Sequence, residues 1–113
     1  MKGEKEEIKI IDIPYQRMEY KHLEDTSKEW NSYLEQGYTN FVINMNKVSF
    51  MDSASIGCLM DFYRKTKAAG GRIHLAGVQP RIETLLAIAK AKNLFGIYDN
   101  VQDAASGFDD QTE

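Results

Sequence analysis

The chain has little cysteine and histidine, and it has no long apolar segment. Cys58 is the one cysteine among 113 residues, which excludes an internal disulfide and a zinc site built on cysteines. Two histidines, His22 and His74, are too few to form a usual zinc site. The longest unbroken apolar run covers residues 85–89, whereas a membrane span needs roughly 20 such residues. We therefore expect no metal site and no membrane insertion.

Motifs for catalysis and cofactor binding are also missing. Gly70, Gly71 and Gly77 do not have the spacing of a dinucleotide fingerprint, and no glycine-rich loop precedes a Lys-Ser or Lys-Thr pair. A Gly-x-Ser-x-Gly nucleophile elbow does not occur. Fourteen basic and seventeen acidic residues give a net charge of −3, which argues against nucleic acid as the main partner because phosphate binding needs a basic face. These absences predict a protein that is not an enzyme and carries no cofactor.

The residues that are present indicate one small globular domain. Hydrophobic residues make up 42% of the chain and charged residues 27%, a balance typical of packed proteins. We predict a single domain over residues 1–113, with frayed ends at 1–7 and 108–113. The charged amino terminus lacks the apolar segment of a signal peptide and, together with the lone thiol, predicts a cytoplasmic protein. We expect a monomer or a weak dimer.

Apolar spacing and helix-stop residues divide the chain into alternating strands and helices. Strands are predicted where β-branched and aromatic residues cluster, and helices where apolar residues recur at steps of three and four. The predicted segments are a strand at 8–13, a helix ending near 36–37, a strand at 40–46, a helix from 53 to 70, a strand at 72–76, a helix from 80 to about 93, a short strand at 97–98 and a last helical turn or two at 101–106. This order predicts a mostly parallel sheet of about four strands with helices packed on it.

The helix that begins at Ser53 has two apolar stripes. The stripe predicted to face the core consists of Ile56, Leu59, Met60 and Tyr63. By the 100° step per residue, Ser55, Cys58 and Phe62 point away from that stripe. Phe62 then either contacts a partner or packs beneath the helix that begins near Pro80.

The thiol and the two imidazoles each allow two interpretations. Cys58 lies one turn into the same helix, where it is either an inert packed thiol or a thiol of lowered pKa near the helix start. His22 falls in a predicted helix and His74 in a predicted strand, and each is either structural or part of a site. None of the three belongs to a visible catalytic pair.

The turn Asp52-Ser53-Ala54-Ser55 joins a predicted strand to this helix. N–H groups at a helix start lack partners within the helix, and Asp and Ser oxygens commonly accept from them, so the turn is typical of a helix cap. A phosphate on Ser53 is the alternative, because the helix start favours negative charge by roughly 0.3–1 kcal/mol and a phosphate adds about −1.5 to −2 charges. A partner docked on the turn would then meet a bulky dianion while the fold is preserved.

The segment from Val48 to Gly57, VSFMDSASIG, resembles the signature of the STAS domain family, in particular that of the bacterial anti-sigma factor antagonists. The family motif begins with an apolar pair and Asp-Ser. A small residue follows, then a position that is usually Gly, then Leu or Ile, and finally Gly. The similarity continues through 70–73, the helix at Pro80 and 94–99, and it covers about residues 40–105. It implies a STAS-like α/β fold, with a small mixed or parallel sheet of four to five strands and about four helices mostly on one face.

The resemblance also implies a function in sigma factor regulation, and hence in transcription regulation. Such proteins bind an anti-sigma factor that is also a serine kinase; the kinase phosphorylates the serine after the Asp, here Ser53, and a serine phosphatase reverses this. Ser55 stands where the family usually has glycine and is a second candidate phosphoacceptor. Together with the turn and the second stripe, this gives the predicted partner-binding residues Asp52, Ser53, Ala54, Ser55, Ile56, Cys58 and Phe62.

The amino-terminal part differs from the family and keeps other functions open. Family members usually begin with a strand hairpin and a Gly-x-Leu-Asp-like segment that contributes to the partner surface, whereas here one clear strand leads into residues 14–18, PYQRM. One alternative is a STAS module in another signalling scaffold or in a transporter-associated complex. Another is a STAS domain that binds a small ligand or a nucleotide.

Overall fold

The computed structural model describes residues 5–109, with side chains from Glu7 onward, and contains six strands and four α-helices over that range. The strands are β1 (Lys5–Asp12), β2 (Arg17–Met18), β3 (Tyr38–Asn44), β4 (Phe50–Met51), β5 (Arg72–Ala76) and β6 (Gly96–Tyr98). The helices are α1 (Leu23–Glu35), α2 (Ser53–Ala68), α3 (Pro80–Ile88) and α4 (Val101–Ser106). Short 3-10 helices lie at Tyr20–His22 and Lys92–Leu94.

The main sheet has the strand order β1-β3-β5-β6, and all its strands are parallel. Parallel neighbours require a crossover, and α1, α2 and α3 supply one after each of the first three strands of this sheet. β2 and β4 form a separate parallel pair beside it. The predicted alternation of strands and helices and the predicted four-stranded parallel sheet are therefore confirmed.

The larger core lies between the sheet and α1 to α3. Phe41 of β3 contacts Phe62 of α2 with ring centroids 4.9 Å apart, and Phe62 contacts Trp30 of α1 at 5.0 Å. All three side chains are buried, so this aromatic chain fixes both helices against the central strand. Removal of one such buried ring typically costs 3–5 kcal/mol of folding free energy.

The opposite face of the sheet is covered by α4. Side chains on β3 and β5 alternate, so Val42 and Ala76 face Ala104 of α4 in a second, smaller core. His74 joins the same face: its Nδ1 lies 2.8 Å from the Ala104 carbonyl oxygen, and its ring stacks on Phe108 at 3.8 Å. Three helices on one face and one on the other agree with the predicted arrangement.

Several local predictions were wrong. Residues 5–7, predicted to be frayed, form the start of β1, and Phe108, predicted to be frayed, packs on His74; residues 1–4 and 110–113 lie outside the described range. The buried stripe of α2 is Ser55, Leu59, Phe62 and Thr66. The predicted stripe is rotated from it, because Ile56, Met60 and Tyr63 are only partly buried against the core.

The described part of the chain has no helix long and apolar enough to span a membrane. Within residues 5–109, no group of three or more His, Cys, Asp or Glu side chains is arranged to hold a metal ion.

His74 makes the stability of this fold depend on pH. Burial lowers the pKa of its imidazole and the charge of Arg72 lowers it further, although the bond to Ala104 acts in the opposite direction. The unfolded chain therefore takes up this proton at a higher pH than the folded chain does. The stabilisation is complete above the ordinary histidine pKa of about 6.5 and is lost as pH falls through the lower folded value.

We expect the free energy of unfolding, measured with urea at about pH 7.5 and about pH 5, to fall more in the wild type than in His74→Gln. Equal falls in the two proteins would show that His74 does not contribute to the pH dependence.

Candidate functional site

Ser53 is the first residue of α2 and its side chain is exposed. β4 ends at Met51, and Asp52 then takes an extended conformation, with φ −84° and ψ 175°, so that the helix starts directly behind it. This geometry presents the Ser53 hydroxyl to solvent at the positive end of a 16-residue helix. The first N–H groups of such a helix have no intrahelical acceptor.

The carboxylate of Asp52 joins two distant parts of the chain. Its Oδ1 accepts from the Ser55 N–H at 2.8 Å, which caps α2, and its Oδ2 accepts from the Tyr20 N–H at 2.9 Å. Hydrogen bonding with Ser55, supported by the Tyr20 N–H, lowers the pKa of the Asp52 carboxyl. The predicted helix cap is thus present, and it also fixes the 3-10 helix at Tyr20–His22 against the start of α2.

Ser55 is fully buried, contrary to its prediction as a partner contact. Its Oγ donates to the carbonyl oxygen of Met18, the last residue of β2, at 2.8 Å. The hydroxyl is therefore already used inside the protein, and neither a partner nor a kinase reaches it without local opening. This also argues against the second candidate phosphoacceptor.

Phe62 is buried between α2 and its neighbours, and Cys58 is partly buried there. Phe62 is 3% exposed and packs on Trp30 and Phe41. It belongs to the same core cluster as Ile82 and Leu86 of α3, which favours the predicted buried position over the predicted partner contact. Cys58 faces α1, with its Sγ 3.5 Å from the Ser27 Oγ. Burial raises the pKa of the Cys58 thiol, which favours the inert thiol over the reactive one.

A second segment, residues 14–22, completes the surface around Ser53. The Gln16 carbonyl oxygen accepts from the Ser49 and Phe50 N–H groups at 2.8 and 3.2 Å, and β2 pairs with β4. Arg17 stacks on the Phe50 ring at 4.0 Å. The segment then turns at Tyr20, whose side chain is 76% exposed.

Sequence reasoning missed Tyr20 and Lys21 as candidate contacts. Both are exposed in the 3-10 helix whose first N–H is bound by Asp52. The available signal was Pro14, which ends β1 nine residues before α1 begins and so leaves a segment that must lie somewhere on the surface. No periodic pattern indicates where that segment attaches.

The STAS domain model matches residues 6–104, so the chain belongs to the STAS domain family. Among the curated relatives, a proposed anti-sigma factor antagonist from Thermotoga neapolitana is 27% identical over 79 residues, covering 68% of this chain and 70% of the relative. The predicted family is therefore confirmed, and this relative bears the name of an anti-sigma factor antagonist.

Solved structures share the fold. A proposed anti-sigma factor antagonist from Thermotoga maritima has a TM-score of 0.82 at 19% identity, covering 92% of this chain and 89% of its own. The antagonist SpoIIAA in its unphosphorylated form has a TM-score of 0.77 at 18% identity, covering 96% and 94%. A sulfate transporter family protein from Wolinella succinogenes has a TM-score of 0.78 at 19% identity, covering 94% and 88%. These low identities show the shared fold alone.

Removal of the Asp52 carboxylate should destabilise the protein. Asp52→Ala loses the helix cap, which is worth about 0.5–2 kcal/mol, and leaves the Tyr20 N–H without its acceptor. Asp52→Asn keeps an oxygen acceptor and serves as the matched control, because Asn is about as good a cap as Asp. We expect urea unfolding to show a loss of about 1–2 kcal/mol for Asp52→Ala and clearly less for Asp52→Asn. Equal losses would mean that the charge, and not the acceptor oxygen, holds the turn.

Proposed function

We propose that this protein is an anti-sigma factor antagonist, which binds an anti-sigma factor serine kinase in its unphosphorylated form and is switched off by phosphorylation of Ser53. A serine phosphatase restores the binding form. The observation that supports this is the exposed Ser53 hydroxyl at the start of α2, directly after the capping Asp52. The curated relative with an antagonist name supports the partner class.

The switch acts on the surface and leaves the fold in place. Within the described residues, Asp52, Ser55 and Tyr20 make the hydrogen bonds of the turn without the Ser53 hydroxyl. A phosphate there gains roughly 0.3–1 kcal/mol from the helix start and adds about −1.5 to −2 charges next to the Asp52 carboxylate. A partner that covers the turn would have to bury this charge, and that cost removes the affinity.

The docking surface consists of two neighbouring segments. From the start of α2 it includes Asp52, Ser53 and Ala54, with the partly exposed Ile56 one turn further on. From the 3-10 helix it includes Tyr20 and Lys21. An exposed tyrosine beside a charged turn suits a protein interface, because aromatic residues carry much of the binding energy there.

A second candidate is a STAS module that works beside a membrane transporter. It is favoured by the shared fold with the sulfate transporter family protein from Wolinella succinogenes. In that case the surface around Ser53 would bind a transporter subunit in place of a kinase. Co-purification with transport proteins, and no binding to any anti-sigma factor kinase, would favour this candidate.

Ser53→Asp should abolish binding to the anti-sigma factor kinase without loss of stability. The introduced charge costs about 3 kcal/mol or more when a partner covers it, so we expect the Kd to rise about 100-fold or more. Ser53→Asn introduces a side chain of the same size as Asp but without its charge. This variant is the matched control and should bind far more tightly than Ser53→Asp. Titration calorimetry measures both, and normal binding by Ser53→Asp would refute the switch.

Phosphorylation itself is tested with candidate anti-sigma factor kinases of the same organism and ATP. Mass spectrometry should place the phosphate on Ser53, and Ser53→Ala should remove it. Phosphate on Ser55 in the folded protein would contradict the assignment, because that hydroxyl is buried and bound to Met18.

Tyr20→Ala should weaken kinase binding while the fold stays intact. The side chain is largely exposed, so its loss should change the unfolding free energy by no more than about 0.5 kcal/mol. An interface tyrosine of this kind is worth about 2 kcal/mol, or about 30-fold in Kd. Ile88→Ala, which removes another exposed apolar side chain on α3, is the control and should bind normally. If both variants bind like the wild type, Tyr20 lies outside the interface.

A further inference from the structure

β1 is the outermost strand on one side of the main sheet. The strand order β1-β3-β5-β6 gives it one hydrogen-bonded neighbour among the described residues, β3. The pairing with β3 is regular from Ile8 to Asp12. Ile10, in the middle of this part, is 44% exposed, and Glu7 and Asp12 are also exposed. An edge strand with an exposed isoleucine is a template on which a further strand can pair.

The backbone groups that point away from β3 belong to the even-numbered residues of β1. The Ile13 N–H donates to the Asn44 carbonyl oxygen at 3.3 Å, so it points toward β3. In an extended strand the backbone groups of successive residues point to alternate sides. Counted back from Ile13, the N–H and carbonyl groups of Ile8, Ile10 and Asp12 therefore point outward from the sheet.

The charges of β1 are complementary to those of a second copy of the same strand. When two copies pair antiparallel about a two-fold axis at Ile8, Glu7 of each copy lies opposite Lys9 of the other, which gives two pairs of opposite charge. Only registers that differ by two residues keep the outward groups facing each other. The next such register places Lys9 opposite Lys9, and the one after it places Ile8 opposite the carboxylate of Asp12. The charges therefore favour the register centred on Ile8.

We propose that the protein forms a symmetric dimer in which the β1 strands of two copies pair antiparallel and join the two sheets into one. Ile8 of each copy then contacts the other, and Ile10 lies diagonally across from it. Both side chains are on the sheet face that carries α4, where Ile8 already packs against the smaller core. The dimer thus covers the exposed Ile10.

Lys9 is already held in position for this contact. Its Nζ lies 4.5 Å from the ring centroid of Tyr33 and 5.5 Å from that of Tyr38, so part of the cost of ordering the side chain is met within one copy. The register with β3 shifts between Lys5 and Ile8, which keeps the regular strand pair short. Because such an interface is smaller than the about 1,200 Å² of stable complexes, we expect a weak, reversible dimer.

The test is sedimentation velocity from about 10 μM to about 1 mM protein, a range that includes the Kd expected of a small interface. The wild type should change from monomer to dimer. Lys9→Glu and Glu7→Lys each place like charges opposite each other twice, so each should raise the Kd at least about tenfold. An equimolar mixture of the two variants restores both pairs of opposite charge and should dimerise like the wild type.

Three results of this experiment would overturn the proposal. They are a wild type that stays monomeric over the whole range, single variants that dimerise as well as the wild type, and a mixture that stays monomeric while the wild type dimerises. Glu7→Lys keeps Lys9 and its ring contacts, so it tests the charge pair even if Lys9→Glu is less stable.

Ile10→Pro tests the edge without a change of charge. The Ile10 N–H points outward, so its loss leaves the bonds between β1 and β3 in place, whereas proline cannot donate to a second strand. We expect a monomer with the circular dichroism of the wild type, and a folded variant that still dimerises would exclude β1 as the interface.

Amide hydrogen exchange in the wild type tests whether the edge is open in the monomer. Exchange at Ile8 and Ile10 should be fast in dilute protein and should slow as the concentration rises. Slow exchange at every concentration would mean that a single chain covers its own edge, and the proposal would be wrong. Ser53→Asp should dimerise like the wild type, because β1 contains none of the docking-surface residues, so this result is independent of the phosphorylation proposal.

Discussion

The Asp52 carboxylate is the interaction on which the surface around Ser53 depends. One side chain accepts hydrogen bonds from two N–H groups whose residues lie far apart in the sequence, Ser55 and Tyr20. A helix start always leaves N–H groups without partners, and a negative group nearby is the simplest way to satisfy them. The same unsatisfied polarity attracts a phosphate. The structural requirement of the cap and the chemistry of the proposed switch therefore come from one physical source.

α2 carries the proposed phosphorylation site at its first residue and packs into the core beyond it. Its sixteen residues extend roughly 24 Å, and Leu59, Phe62 and Thr66 bury its middle against the sheet and α1. The proposed function is placed at the start of the helix, where backbone groups and charges meet solvent. A buried and closely packed middle is also the reason that a charge added at one end leaves the fold intact.

The sequence predicted the elements that have a periodic or chemical signature. The alternation of strands and helices was visible in the apolar spacing, and the cap at Asp52 was visible as a residue type that helix starts prefer. β2 and β4 were missed because two-residue strands, such as Arg17–Met18, are too short to show any period. They form only because the chain after β1 is held beside the chain after β3.

The orientation of α2 shows a second limit of sequence reasoning. Steps of 100° per residue fix which side chains share a face, but not which face meets the core. Phe62 was placed correctly relative to Ser55, yet that face is the buried one, because Trp30 and Phe41 provide an aromatic pocket for it. Tyr20 could not be placed by such steps, because it lies in a separate 3-10 turn that breaks the spacing with α1.

The thin cover on the second face of the sheet has its own consequence. α4 has six residues, too few for a helix that is stable by itself, so it depends on the contacts of Ala104, His74 and Phe108. It is therefore the element expected to detach first in native-state fluctuations, with amide hydrogens that exchange before those of the central strands. Each such opening exposes Val42 and Ala76 to water. The stability of α4 therefore determines how often an apolar sheet face becomes available for association with other protein molecules.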